Sequence, residues 1–138
     1  MNNYTFEQMT VGLTESFSVT VTEEMHNSFT ELSSDRNPMH MDADYAKQRG
    51  FNDRIVYGML SASFFSALAG MYLPGEHCLL LECSSSFHKP VYIGDTLTIT
   101  GKVSEVTEAT RTARIKAVIT NQKGEKVVKG KITVGFTE

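Results

Sequence analysis

Residues 58–73 read Gly58-Met59-Leu60-Ser61-Ala62-Ser63-Phe64-Phe65-Ser66-Ala67-Leu68-Ala69-Gly70-Met71-Tyr72-Leu73, with no charged side chain among them. Small and apolar residues occupy every face of a helix drawn through this run, and Pro74-Gly75 stops it. Such a helix has no side to offer to water, so the rest of the chain is expected to cover it all round. It is too short for a membrane span, which takes about 20 apolar residues.

The covering layer is legible downstream. Leu79, Leu81, Cys83, Ser85 and Phe87 share one strand face, and Leu97, Ile99 and Val103 share another. Ala113, Ile115, Ala117 and Ile119 follow, then a turn at Asn121–Gly124, then Val128, Gly130, Ile132, Val134 and Phe136. Alternation with polar outer positions marks an antiparallel sheet with one buried face. Upstream, Phe17, Val19 and Val21 alternate with hydroxyl residues as a short strand. Thr22 then caps a helix whose first turn carries Glu23 and Glu24 and whose apolar stripe is Met25, Phe29 and Leu32. Asp42 caps a second short helix that Gly50 closes. One strand, a helical block and four strands make an α+β order. A long antiparallel sheet wrapped around a long apolar central helix is the hot-dog fold, expected here as one domain over residues 1–138, with no repeat or linker to divide it.

A net charge of −3 gives no reason to expect nucleic acid or an anionic membrane as partner. The opening Met1-Asn2-Asn3-Tyr4 lacks the basic-then-apolar pattern of a secretory leader, so the expected location is the cytoplasm. Cys78 and Cys83 lie five apart in one strand, on opposite faces and about 16 Å apart at roughly 3.3 Å per residue. They cannot pair with each other and are expected as buried free thiols.

The chemistry concentrates in the segment between the two early helices. Ser33–Met41 has turn chemistry and no periodicity, and within it Asp35, Asn37, Pro38 and His40 spell Asp-x-Asn-Pro-x-His. Pro38 fixes its own φ and drives Asn37 toward extended geometry, so the loop is stiff. A stiff loop can hold a carboxylate and an imidazole converging on one water, the arrangement that proton removal and redelivery require. An isolated Asp and His at this spacing would more often be a turn cap and a packed loop residue. The intervening Asn-Pro and the apolar helix that follows favour function. His40, Asp42 and Asp44 alternate, but Asp42 has a capping role and no Cys or second His stands at ligand spacing, so no metal is expected. His26 and Glu31 are read as solvated positions of an amphipathic helix, and His88 as the end of a strand near a pocket.

Phe29-Thr30-Glu31-Leu32-Ser33-Ser34-Asp35-Arg36-Asn37-Pro38-Met39-His40-Met41-Asp42 resembles the signature of the MaoC-like, (R)-specific enoyl-CoA hydratases. The resemblance continues through Ile55-Val56-Tyr57-Gly58-Met59-Leu60 and Phe87–Asp95, and so covers nearly the whole chain. It implies (R)-specific hydration of trans-2-enoyl thioesters, or the reverse dehydration. In this correspondence Asp35 and His40 match the catalytic pair and Asn37 the residue supporting it. Gly58 matches the backbone N–H that holds the thioester oxygen, and Tyr57 and Ser66 fall at substrate-pocket positions. Ser34 stands where the family usually has Gly, Tyr57 where it commonly has His, and Arg54 where Pro is frequent.

No cofactor is implied, since the coenzyme A or pantetheine arm belongs to the substrate, which is an acyl-CoA or an acyl-carrier protein. Arg36, Arg54 and Lys89 could meet phosphates of that arm, although surface solvation is the commoner role of such residues. Within enzymes the alternatives are a dehydratase acting on carrier-bound chains and a hot-dog thioesterase. Outside them stands a non-catalytic acyl-thioester-binding subunit. A single sheet would leave part of the apolar helix and a strand edge bare, so a homodimer is expected.

Overall fold

The computed structural model of the protein describes residues Met1–Glu138 throughout. After a short 3₁₀ turn at Phe6–Gln8, β1 (Thr14–Thr20) leads into α1 (Glu23–Ser33), the single turn α2 (Pro38–Met41), α3 (Ala43–Gln48) and α4 (Gly58–Ala67). A wider π-helical turn, Leu68–Tyr72, extends α4. Strands β2 (Cys78–Phe87), β3 (Thr96–Thr107), β4 (Thr112–Thr120) and β5 (Lys126–Phe136) complete the chain. All pairings are antiparallel, in the order β1-β3-β4-β5-β2, and α4 packs against one face of this hot-dog sheet.

The inward positions of the three middle strands are those the alternation marked. Leu97, Ile99 and Val103, then Ala113, Ile115, Ala117 and Ile119, then Val128, Ile132 and Val134 are all buried. Phe65, Leu68 and Leu73 meet them from the helical side. The helix comes close because β5 carries no side chain at Gly130. A Cβ there would lie 2.6 Å from the Phe65 ring and 2.7 Å from the Ser84 backbone carbonyl.

The structure departs from the sequence expectations in four places. The regular part of the central helix spans 10 residues, and it is not covered all round within one chain. Met59 is 65 % exposed, and Ser63, Ser66 and Met71 are also exposed, because the sheet curls over one side of α4 only. Second, the register of β2 shifts between Leu80 and Glu82, so Leu81 is an extra residue. A bulge of this kind resets the alternation. It places Cys78 opposite Phe136 and Cys83 opposite Ile132, on one face instead of two. Neither thiol is fully buried: Cys78 is half-buried and Cys83 exposed, and the burial they do have raises both thiol pKa values.

Third, α1 turns His26 and Thr30 to the interior, whereas Leu32 is 83 % exposed. The stripe of Met25, Phe29 and Leu32 lines an open groove with Leu60 and Ser63 of α4. Fourth, the loop read as irregular contains α2, a one-turn helix begun by Pro38. The Thr22 and Asp42 caps stand as expected, each side chain accepting backbone N–H bonds from the turn that follows. No helix is long and apolar enough to cross a membrane.

Candidate active site

Helix α1 ends at Ser34 in the left-handed region, φ 63°, with its N–H on the Thr30 carbonyl. That conformation is the one glycine adopts most easily, which gives a physical reason for the Gly usual at this place in the resemblance. The chain then turns back through side-chain bonds to its own backbone. Ser33 Oγ accepts from Asp35 N–H (3.1 Å), Asp35 Oδ1 from Asn37 N–H (3.0 Å), and Asn37 Oδ1 from Met39 N–H (3.0 Å). Asn37 thus caps α2 with its side chain and steadies the Asp35 carboxylate with its backbone.

His40 lies in the single turn of α2, its side chain mostly buried at 14 % exposure. Its Nδ1 is 2.7 Å from the Ile55 carbonyl oxygen, which can only accept, so Nδ1 carries the proton. In the neutral ring Nε2 is then a bare acceptor. Nε2 stands 3.9 Å from Asp35 Oδ2. That gap is too long for a direct hydrogen bond and right for one water that donates to both, at about 2.8 Å each.

Tyr57, which caps α4, holds this pair from behind. Its ring stacks on the His40 imidazole, centroids 4.0 Å apart, and its hydroxyl donates to the Asp35 carbonyl at 2.5 Å. Thr30 Oγ1 reaches the same hydroxyl at 2.7 Å. His26 completes the layer: its ring lies 4.8 Å from that of Tyr57, and Nε2–H donates to the His40 carbonyl at 2.9 Å. Burial pushes the His26 pKa below its ordinary value, while the bond to His40 partly offsets this. His26 is therefore a neutral, buried support and not a solvated residue.

A pocket of about 320 Å³ opens beside the pair, lined by His40, Gly58, Ser61, Phe87, His88 and Val128 among others. Asp35 is half-exposed and is joined to the pocket through His40, which lines it and lies 3.9 Å from the carboxylate. Gly58 is the first residue of α4, and no side chain caps that end. Its N–H precedes the first helical hydrogen bond and is free for a ligand, with the helix dipole favouring negative charge there. A Cβ at Gly58 would meet the Phe87 ring at 3.0 Å, so glycine also lets that ring close the pocket.

Of the residues singled out from sequence, the structure thus brings Asp35, His40 and Gly58 together and sets Asn37 and Tyr57 directly behind them. Ser66 is on an exposed face of α4, away from the pocket lining. Arg36, Arg54 and Lys89 are ion-paired with Glu31, Glu23 and Glu125. The sequence reading missed His26, Phe87 and Ser61. Ser61 is three residues beyond Gly58, a helical neighbour that spacing alone would have pointed to.

A hot-dog sheet whose central helix begins beside an Asp–His pair, 3.9 Å apart, defines the class to which this site belongs. The chain belongs to the MaoC-like domain family, which it matches over residues 8–128. It is 37 % identical over 129 residues to the (R)-specific enoyl-CoA hydratase of Rhodospirillum rubrum, covering 94 % of this chain and 89 % of that protein. It is 34 % identical to the 3-hydroxybutyryl-CoA dehydratase of Methylorubrum extorquens, over 80 % of this chain and 70 % of that one. The solved (R)-hydratase from Aeromonas caviae, involved in PHA biosynthesis, superposes with a TM-score of 0.89 at 35 % identity, covering 94 % of this chain and 98 % of that one.

Tyr57→Phe should separate the two contacts of this side chain. The ring stays on His40, but the Asp35 carbonyl loses its donor, at a cost of about 1–2 kcal/mol for a partly buried acceptor. We expect a lower Tm in thermal unfolding and slower turnover. A variant with wild-type Tm and rate would show that the hydroxyl does not hold the loop.

Proposed function

We propose that this protein adds water across the double bond of trans-2-enoyl thioesters to give (R)-3-hydroxyacyl thioesters, and catalyses the reverse dehydration. The observation that carries the reading is the 3.9 Å gap between His40 Nε2 and Asp35 Oδ2, with the His40 tautomer fixed by Ile55. The names of the relatives in Rhodospirillum rubrum and Methylorubrum extorquens, a hydratase and a dehydratase, support the two directions of one reaction.

The thioester oxygen sits at the N–H of Gly58, and the enoyl C2–C3 bond extends past the water between Asp35 and His40. As the water oxygen bonds to C3, the pair takes one of its protons, and negative charge builds on the thioester oxygen. The Gly58 N–H and the start of α4 stabilise that charge. A proton from the pair then reaches C2, so one water is consumed and no proton is left over. No electron is transferred, and the chemistry calls for no cofactor. The substrate brings its own coenzyme A or carrier-linked pantetheine arm.

Asp35→Asn and His40→Gln should each lower turnover of crotonyl-CoA by roughly a hundredfold to ten-thousandfold while circular dichroism remains native. An (S) product, or full activity in both variants, would overturn the reading.

The functional unit in this reading is a homodimer. Strand β2 is an unpaired edge, and Leu79, Leu80 and Leu81 on it are 48, 49 and 52 % exposed, with Met59 of α4 nearby at 65 %. Leu80 faces inward with Val134 while Leu79 and Leu81 flank Gly135 on the outer face, so apolar side chains are bare on both faces of an unpaired edge, which single monomers rarely leave in water. Pairing two copies along β2 continues the sheet and covers it. Light scattering should report a particle of about 31 kDa, twice the 15.3 kDa chain. A stable monomer at assay concentration would contradict the pairing.

A further inference from the structure

Ser61 is 1 % exposed, and its Oγ has no hydrogen-bond partner. Serine in a helix ordinarily turns its hydroxyl back onto a carbonyl one turn earlier. Ser63 does so, donating to Leu60. For Ser61 the corresponding carbonyl is that of Tyr57, which already accepts the N–H groups of both Leu60 and Ser61. The Ser61 hydroxyl is left with a free proton in the wall of the pocket that His40 and Gly58 also line. A buried, unpaired hydroxyl is unfavourable, and alanine would suit both the helix and the packing better. A polar group kept at such a position is explained by a ligand that completes it.

We propose that Ser61 Oγ–H is a second donor to the thioester carbonyl oxygen, beside the Gly58 N–H. This rests on the reading of the site as an enoyl-thioester hydratase. Three residues advance a helix by about 4.5 Å, and i and i+3 positions share a face. A carbonyl oxygen between the two donors has a lone pair for each, with bonds of about 2.8–3.0 Å. Of the ring nitrogens in the pocket, His40 Nδ1 is held by Ile55 and His88 Nε2 by Ser86, while His40 Nε2 is an acceptor and has no proton to offer a carbonyl oxygen. The role for Ser61 is to strengthen its bond as negative charge gathers on that oxygen during attack at C3.

The test compares wild type with Ser61→Ala and with Ser61→Cys, which keeps the size but donates weakly. Turnover of crotonyl-CoA, Tm, and the carbonyl stretch of bound ¹³C-labelled butyryl-CoA are measured on each. We expect Ser61→Ala to lower kcat by about a hundredfold with KM little changed, as loss of one oxyanion donor does. Its Tm should be unchanged or higher, because an orphaned buried hydroxyl has gone. The bound carbonyl should move to higher frequency, and Ser61→Cys should fall between. A Ser61→Ala enzyme with wild-type kcat and carbonyl frequency would overturn the assignment while leaving the hydratase reading intact. So would a parallel fall in Tm and kcat with the carbonyl frequency unmoved, the mark of a packing role. A wild type without hydratase activity would instead overturn the reading of the site.

Discussion

The contact on which this site depends is Tyr57 against the catalytic loop. One residue ties three elements together: Tyr57 sits at the N-terminal boundary of α4, its ring stacks on His40 from α2, and its hydroxyl donates to the carbonyl of Asp35 just after α1. His40 is also held by His26 and Ile55, but at the Asp35 end the loop's remaining bonds are local turns, so the Tyr57 hydroxyl is what ties Asp35 to the core. Because Tyr57 is itself buried at 2 % exposure, the cost of ordering the loop is met by packing that the core already requires. Tyr57 therefore couples the position of the Asp35–His40 pair to that of the neighbouring Gly58, the residue proposed to hold the thioester oxygen.

The same helix explains why the site is open. Five strands curl over one side of α4, leaving Met59, Ser63 and Met71 exposed along the other, next to the bare edge of β2. Phe29, Met59, Cys83 and Phe87 line a further hollow between α4 and β2. This apolar strip accounts for the exposure of Leu32 at the end of the α1 stripe, whose Met25 and Phe29 pack at the core margin, and for an inner face of β2 that stays half-exposed.

Most of the fold was legible because it obeys two periods. Inward residues of β3, β4 and β5 alternate along most of their length, broken near Val103 and at Val127–Val128, and the charge-free run at 58–73 reads as a central helix. The errors came where a local event broke the period. The extra residue at Leu81 brought Cys78 and Cys83 to one face, and nothing in their spacing marks a bulge. The α1 stripe was read from hydrophobicity, which favours Met25 and Leu32. The structure instead buries His26 and Thr30, with His26 Nε2 on the His40 carbonyl and Thr30 Oγ1 on the Tyr57 hydroxyl. The Asp35–His40 pair was visible in the motif. Tyr57 was visible too, as a pocket position, but its support from His26 and Thr30 was not, nor was Ser61, since a buried hydroxyl facing a pocket has no sequence pattern of its own.

In the proposed reaction a single water, held between Asp35 Oδ2 and His40 Nε2, supplies both the hydroxyl and the proton from one side of the substrate. Hydration of crotonyl-CoA run in D₂O tests it directly, with the configuration at C2 of the product read from the proton coupling between C2 and C3. The account predicts syn addition, oxygen at C3 and deuterium at C2 entering from the same face. Anti addition, or deuterium distributed over both faces of C2, would contradict it.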